Sequence, residues 1–196
     1  MKKIKPTEEK KPQPQIMNIG KTLVLILTYP DNSIPIELAW WFMNRGFNPN
    51  NIATLCEKGM YDVVRNKALK SVEPLLDKFE WLMLIDNDMR PNNLTDMFLL
   101  EQGDNDVVAC NYKTIDTATI TPDAFHLGLV RIKTSKVKEL FALSKKDGKP
   151  LFAFPRNADN SQLVGCECSW FASRLKEVGA KIVRIGWADH YKSKFN

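Results

Sequence analysis

The chain has 196 residues, 44% hydrophobic and 26% charged, with a formal charge of +5, enough for one domain with its own core and an ordinary water-soluble composition. No apolar run approaches the roughly 18 residues of a membrane span, and no apolar segment follows the N-terminal lysines as in a signal peptide. The first fifteen residues hold five lysines and two glutamates, so the rest is only weakly basic and charge permits a nucleic-acid partner without demanding one. Cys56, Cys110, Cys166 and Cys168 show no C-x-x-C spacing. They read as reduced thiols of a cytoplasmic protein (host cytoplasm if the source is viral), and with two histidines in the chain no zinc site is expected.

Residues 1–17 are rich in Lys, Pro, Gln and Glu and form a disordered basic tail; the folded domain spans 18–196. Residues 21–27 read as a buried strand ending in the turn Thr28-Tyr29-Pro30-Asp31. A helix over 34–45 closes at Gly46, and a short strand covers 51–56. The spacing predicts a helix over 61–76 with Val63, Val64, Ala68, Leu69 and Val72 on one face, its end blurred by Pro74. Residues 81–85 are apolar without a break, as in a strand buried on both faces. Pro91 is placed to start a helix running to about Glu101. Strands follow at 106–110 and, around a central Gly128, at 125–132, with a Thr-rich loop or hairpin over 112–124 between them. A short helix over 135–143, a loop over 144–164, a helix over 169–178 ended by Gly179, and a last strand over 181–185 complete the pattern. Alternating strands and helices imply an α/β fold, a single Rossmann-like domain with a mostly parallel central sheet flanked by helices.

The chemistry concentrates at Asp86-Asn87-Asp88, where the 81–85 strand leaves the sheet. Open α/β sheets bind ligands at the carboxyl ends of their strands, and residues i and i+2 of extended chain project to one side. Two carboxylates so placed suit a divalent cation, or one a cation and the other a sugar; the plain alternative is a polar turn closing a strand.

Four segments, in order, resemble the GT-A glycosyltransferases, the nucleotide-diphospho-sugar transferases, in particular the small phage and bacterial versions related to family 2. They are the first strand with Thr28-Tyr29-Pro30; Val64-Arg65-Asn66-Lys67-Ala68; Leu84-Ile85-Asp86-Asn87-Asp88-Met89, like the DxD motif; and Glu167-Cys168-Ser169-Trp170-Phe171-Ala172-Ser173-Arg174-Leu175 followed by Gly179 and His190. The resemblance covers about 20–192. It implies a metal-dependent transfer of a sugar from a nucleotide-diphosphate donor to a hydroxyl acceptor, with Mn²⁺ or Mg²⁺ held by Asp88 and His190. Asp86 would bind ribose or sugar hydroxyls or reach the metal through water. Oxygen ligands suit either ion, and a histidine nitrogen favours Mn²⁺. On the donor side it implies Tyr29 stacked on the base, Arg65, Asp86 and Asn87 at the nucleotide-sugar, and Lys192, with Lys194, at the diphosphate. His126, Gly128 and Trp170, with Phe171, would border the acceptor. For His190, Arg65 and the terminal lysines, ordinary surface roles stay open.

One departure stands out. The family's acid pair ends in an aspartate that serves as base in inverting enzymes, and the matching residue is Cys168. A neutral thiol is a poor base, so Glu167, or a more distant Asp159 or Asp123, takes the role, or the reaction retains configuration. A non-catalytic nucleotide-sugar-binding module of the same fold is the alternative. A nucleotidyltransferase lacks its glycine-rich loop here. The acceptor is left between a glycan hydroxyl and a hydroxymethylated base in phage DNA, the second kept by the lysine-rich tail.

Overall fold

The computed structural model describes residues 19–28, 33–100, 103–112 and 125–190; Tyr29, Asp123, Lys192, Lys194 and the 1–17 tail lie outside them. Seven strands form one sheet, in the order β2 (Ile52–Leu55), β1 (Thr22–Leu27), β3 (Trp81–Asp86), β6 (Leu129–Lys133), β5 (Val107–Tyr112), β7 (Ile182–His190), β4 (Met89–Pro91). β1, β2 and β3 are mutually parallel and β5 runs parallel to β7, while β6 and β4 are reversed against their neighbours. Five strands therefore end at the same edge, in keeping with a mostly parallel sheet.

The unbroken apolar runs follow from helices on both faces. Leu23, Leu25, Leu82 and Leu84 pack against α2 (Tyr61–Val72), α4 (Thr134–Asp147) and α5 (Glu167–Glu177). Their neighbours Val24, Ile26, Met83 and Ile85 pack against α1 (Ile36–Asn44) and α3 (Asp96–Leu99). With both faces covered, no position of β1 or β3 needs a polar residue.

Several boundaries differ from the sequence reading. Pro91 does not open a helix; it ends β4, an edge strand, where a residue without an N–H is tolerated. The helix is only Asp96–Leu99. α2 stops at Val72 and Glu73–Lys78 continue as a tighter 3₁₀ turn containing Pro74. Residues 125–128 precede β6 rather than belong to it, α4 extends to Asp147, and β7 runs on to His190. On α2, Val63 is exposed and Arg65 takes the buried face in its stead.

Arg174, which the sequence groups with the acid-pair helix, is a structural cation. It is fully buried and donates from Nη1 and Nη2 to both carboxylate oxygens of Asp147 at 2.6 and 3.1 Å, and from Nη1 to Glu177 at 2.6 Å. It ties α5 to the C-terminus of α4.

Candidate active site

At the carboxyl edge of the sheet a cleft of about 460 Å³ opens, and Arg65, Asp86, Asn87, Asp88, His126, Glu167, Cys168 and His190 all line it. Residues up to 125 apart in sequence thus meet at one place.

The acidic turn is fixed by backbone bonds. The Asp86 N–H donates to Gly128 O at 2.9 Å and the Asn87 N–H to Leu27 O at 3.1 Å. From β4, Arg90 Nη1 donates to the carbonyls of Asn87 and Met89 at 2.9 and 3.1 Å. β4 pairs with β7 so that Met89 faces His190. That pairing puts His190 Nε2 2.9 Å from Asp88 Oδ2. The other oxygen, Asp88 Oδ1, is buried without a hydrogen-bond partner among the described residues.

Asp86 turns the other way. Arg65 Nη2 donates to its Oδ2 at 2.9 Å, and Arg65 Nε stands 3.8 Å from Glu167 Oε1. The guanidinium is 5% exposed. Burial opposes its charge, yet Asp86, Cys168 and Glu167 hold it firmly protonated. Burial raises the Asp86 carboxyl above its ordinary value against the pull of Arg65, with Asp88 adding to the rise. Glu167 is likewise raised by burial and countered by Arg65.

Cys166 caps the N-terminus of α5, its sulfur accepting the Ser169 N–H at 3.4 Å. The Cys168 thiol, together with that N–H, holds Cys166 down to about 5. Cys168 lies 3.6 Å from Glu167 Oε1; its contact with Cys166 and its burial push it far up, so it is a neutral thiol.

The His126 ring sits 5.6 Å from that of Tyr112, which is 5.3 Å from His190. His126 Nε2 is buried and without a hydrogen-bond partner among the described residues. Gly128 donates its N–H to Tyr112 Oη at 2.8 Å, and a Cβ there would come within 2.6 Å of that oxygen; its role is to admit the tyrosine. Trp170 does not line the cleft: its indole donates to Pro150 O at 3.1 Å. Phe171 is core, stacked on Phe152 with ring centres 4.2 Å apart. Asp159 sits in an exposed loop, accepting the Ser161 N–H, and is not a cleft residue.

Sequence reasoning passed over Leu27, Leu55, Tyr112 and Cys166 as lining residues. Leu27, Leu55 and Tyr112 are the last residues of β1, β2 and β5. The strand-end rule that drew attention to Asp86 applies to each of them.

Oxygen ligands suit Mn²⁺ or Mg²⁺, and an imidazole nitrogen moves the preference towards Mn²⁺. The unpartnered Asp88 oxygen beside His190 offers such an ion one carboxylate and one imidazole donor, so the residues present fit an ion that completes its shell with water and phosphate oxygens.

No family model and no curated protein matches the chain. Similarity to solved structures is clear. A protein from STIV aligns at TM-score 0.58 and 16% identity, covering 88% of this chain and 86% of that one. A mutant of Drosophila β1,4-galactosyltransferase 7 in complex with manganese, UDP-Gal and xylobiose aligns at TM-score 0.55 and 14% identity, covering 89% and 72%. A mannosyltransferase from Pyrobaculum calidifontis in complex with GDP-Man and Mn²⁺ aligns at TM-score 0.51 and 15% identity, covering 95% and 62%. With its strand order, its acidic turn at the carboxyl edge and these neighbours, the chain has the GT-A glycosyltransferase fold.

Proposed function

We propose that this chain is a metal-dependent glycosyltransferase that moves a sugar from a nucleoside-diphosphate donor to a hydroxyl acceptor. The observation that carries the reading is the acidic turn. Asp88, with one buried oxygen unpartnered, meets His190 at 2.9 Å in the same cleft as Asp86, Arg65 and Glu167. The neighbours with manganese and UDP-Gal or GDP-Man support it.

Asp88 and His190 would hold a Mn²⁺ or Mg²⁺ ion, with Asp86 at its margin. When bound, such an ion neutralises charge gathering on the departing diphosphate. Arg65 fixes one oxygen of Asp86 and leaves the other for a ribose or sugar hydroxyl. Leu27, Leu55 and Tyr61 offer apolar surface to the nucleotide, and His126 and Tyr112 border the acceptor. Glu167 serves as the base. Burial raises its proton affinity, and Arg65 at 3.8 Å works against that rise. As the acceptor oxygen bonds to the anomeric carbon and the bond to the diphosphate oxygen breaks, the acceptor proton passes to Glu167. Cys168, a neutral thiol, takes no part in that transfer. The acceptor is a glycan hydroxyl or the hydroxymethyl group of a modified DNA base.

The test is calorimetric binding of UDP- and GDP-sugars with Mn²⁺ and with chelator, on the native chain and Asp88→Ala. Binding should require the ion and disappear in the variant while circular dichroism is unchanged. Donor binding that persists in chelator would sink the reading.

A further inference from the structure

We propose that Cys166, Glu167 and Cys168 form a second cation site, separate from the Asp88–His190 pair and selective for thiophilic divalent ions of the zinc class. The two sulfurs and a carboxylate oxygen all lie within 4.8 Å of one another. Cys168 Sγ and Glu167 Oε1 are already 3.6 Å apart. Around a tetrahedral zinc, with Zn–S about 2.3 Å and Zn–O about 2.0–2.2 Å, neighbouring sulfur and oxygen ligands stand roughly 3.6 Å apart.

Three consecutive residues converge because a helix begins among them. Cys166 has extended backbone as the cap of α5, and Glu167 and Cys168 form its first turn. The cap is held in place by Ser169, whose Oγ donates to Cys166 O at 2.7 Å and whose N–H donates to the Cys166 sulfur. C-x-C does not look like zinc-ligand spacing in a sequence; the change from extended to helical backbone brings the side chains together. All three line the cleft, so a fourth coordination position opens towards it.

Charge and ligand chemistry agree. Two thiolates and one carboxylate carry three negative charges, offset by a divalent ion and in part by the Arg65 guanidinium, which stands 3.8 Å from Glu167 and is shared with Asp86. Thiolates select zinc, cadmium and cobalt over magnesium or manganese, whereas the carboxylate–imidazole pair does not exclude the harder ions. Binding displaces the proton of the Cys168 thiol, which leaves to solvent, and involves no electron transfer. An ion seated here also occupies Glu167. It would therefore block the proton transfer assigned to that residue, a consequence that rests on the transferase reading, whereas the metal site itself does not.

The test uses the reduced, metal-free full chain titrated with Co²⁺ and Cd²⁺. One equivalent should produce sulfur-to-metal charge-transfer absorption, retained in Asp88→Ala and lost in the Cys166→Ser/Cys168→Ser variant. Manganese binding followed by electron paramagnetic resonance should be unchanged in that double variant. In the native chain, stoichiometric Cd²⁺ should protect Cys166 and Cys168, but not Cys56, from iodoacetamide, as read by peptide mass spectrometry. This arm needs no variant to fold. Absence of the absorption band, its survival in the double-cysteine variant, or alkylation of Cys166 undiminished by Cd²⁺ would overturn the proposal.

Discussion

Replacing Arg65 with methionine keeps most of the side-chain volume and removes the charge that two carboxylates share. The guanidinium is almost wholly enclosed, with a direct 2.9 Å bond to Asp86 and a 3.8 Å contact with Glu167. Removing one member of a buried ion pair costs about 3–5 kcal/mol, because a charge is left without its partner. The Asp86 side chain is 24% exposed and can recruit some water, which places the expected loss near the lower end. At roughly 2–4 °C per kcal/mol for a domain of this size, a loss of about 3 kcal/mol lowers Tm by roughly 6–12 °C. Adding Asp86→Asn removes the abandoned charge. The double variant should therefore be more stable than Arg65→Met alone, although each change by itself destabilises. Urea unfolding at pH 7, followed by tryptophan fluorescence, measures all four corners of the cycle. If Arg65→Met lies within about 0.5 kcal/mol of the native chain, the size of an ordinary surface substitution, the buried-pair argument is wrong. Further loss on adding Asp86→Asn would be equally damaging to it.

Gly128→Ala should destabilise by about 1–3 kcal/mol, the usual cost of overpacking, because its Cβ meets Tyr112 Oη at 2.6 Å and Met89 Sδ at 2.8 Å. It should also weaken acceptor binding through the displaced ring, and an unshifted urea midpoint would refute the packing argument. Acid sensitivity should trace in part to Asp147. Arg174, followed by the Lys149 N–H, holds this carboxyl below the ordinary range, so its contribution is complete above the unfolded pKa of about 3.9 and fades as pH falls through the folded value. The stability gap between the native chain and Asp147→Asn should therefore be constant above about pH 5 and close towards pH 2; urea midpoints that keep the same gap throughout would exclude the linkage.

What could be read from the sequence was set by how local the cause is. β1 and β3 were legible because burial on both faces leaves each an unbroken apolar run of five residues, and Asp86 and Asp88 because a strand ends there. His190 came into view only through resemblance, since the residue it meets is 102 positions away and β7 carries no apolar run at its end. Arg65 was harder still. Periodicity assigned Val63 to the buried face of α2, and what draws an arginine inside is a carboxylate on β3 that no helical pattern contains. Pro91 reads equally well as the start of a helix or the end of an edge strand, and only the pairing of β4 with β7 decides. Cys166 was invisible as a site residue because its role depends on the exact residue at which α5 begins.

The bulge in β7 sets the phase of everything after it. Along β5, Ala109 and Asn111 are two residues apart, while their partners Arg184 and Trp187 are three apart. Gly186, at φ +79°, sits in that interval, its carbonyl taken by Asn111 Nδ2 at 3.0 Å. Before it, Val183 and Ile185 point to the α1 side of the sheet; after it, Ala188 does. Odd positions have handed over to even ones. Were β7 to run without the extra residue being absorbed, Trp187 and Asp189 would turn inward and His190 would leave Asp88. Substitution at Gly186 pushes that way, since a Cβ meets Leu94 O at 2.8 Å in a backbone conformation that L-residues avoid. Outright removal of the residue would keep the alternation and leave His190 facing inward. At this position a missing residue is less harmful to the site than an altered one.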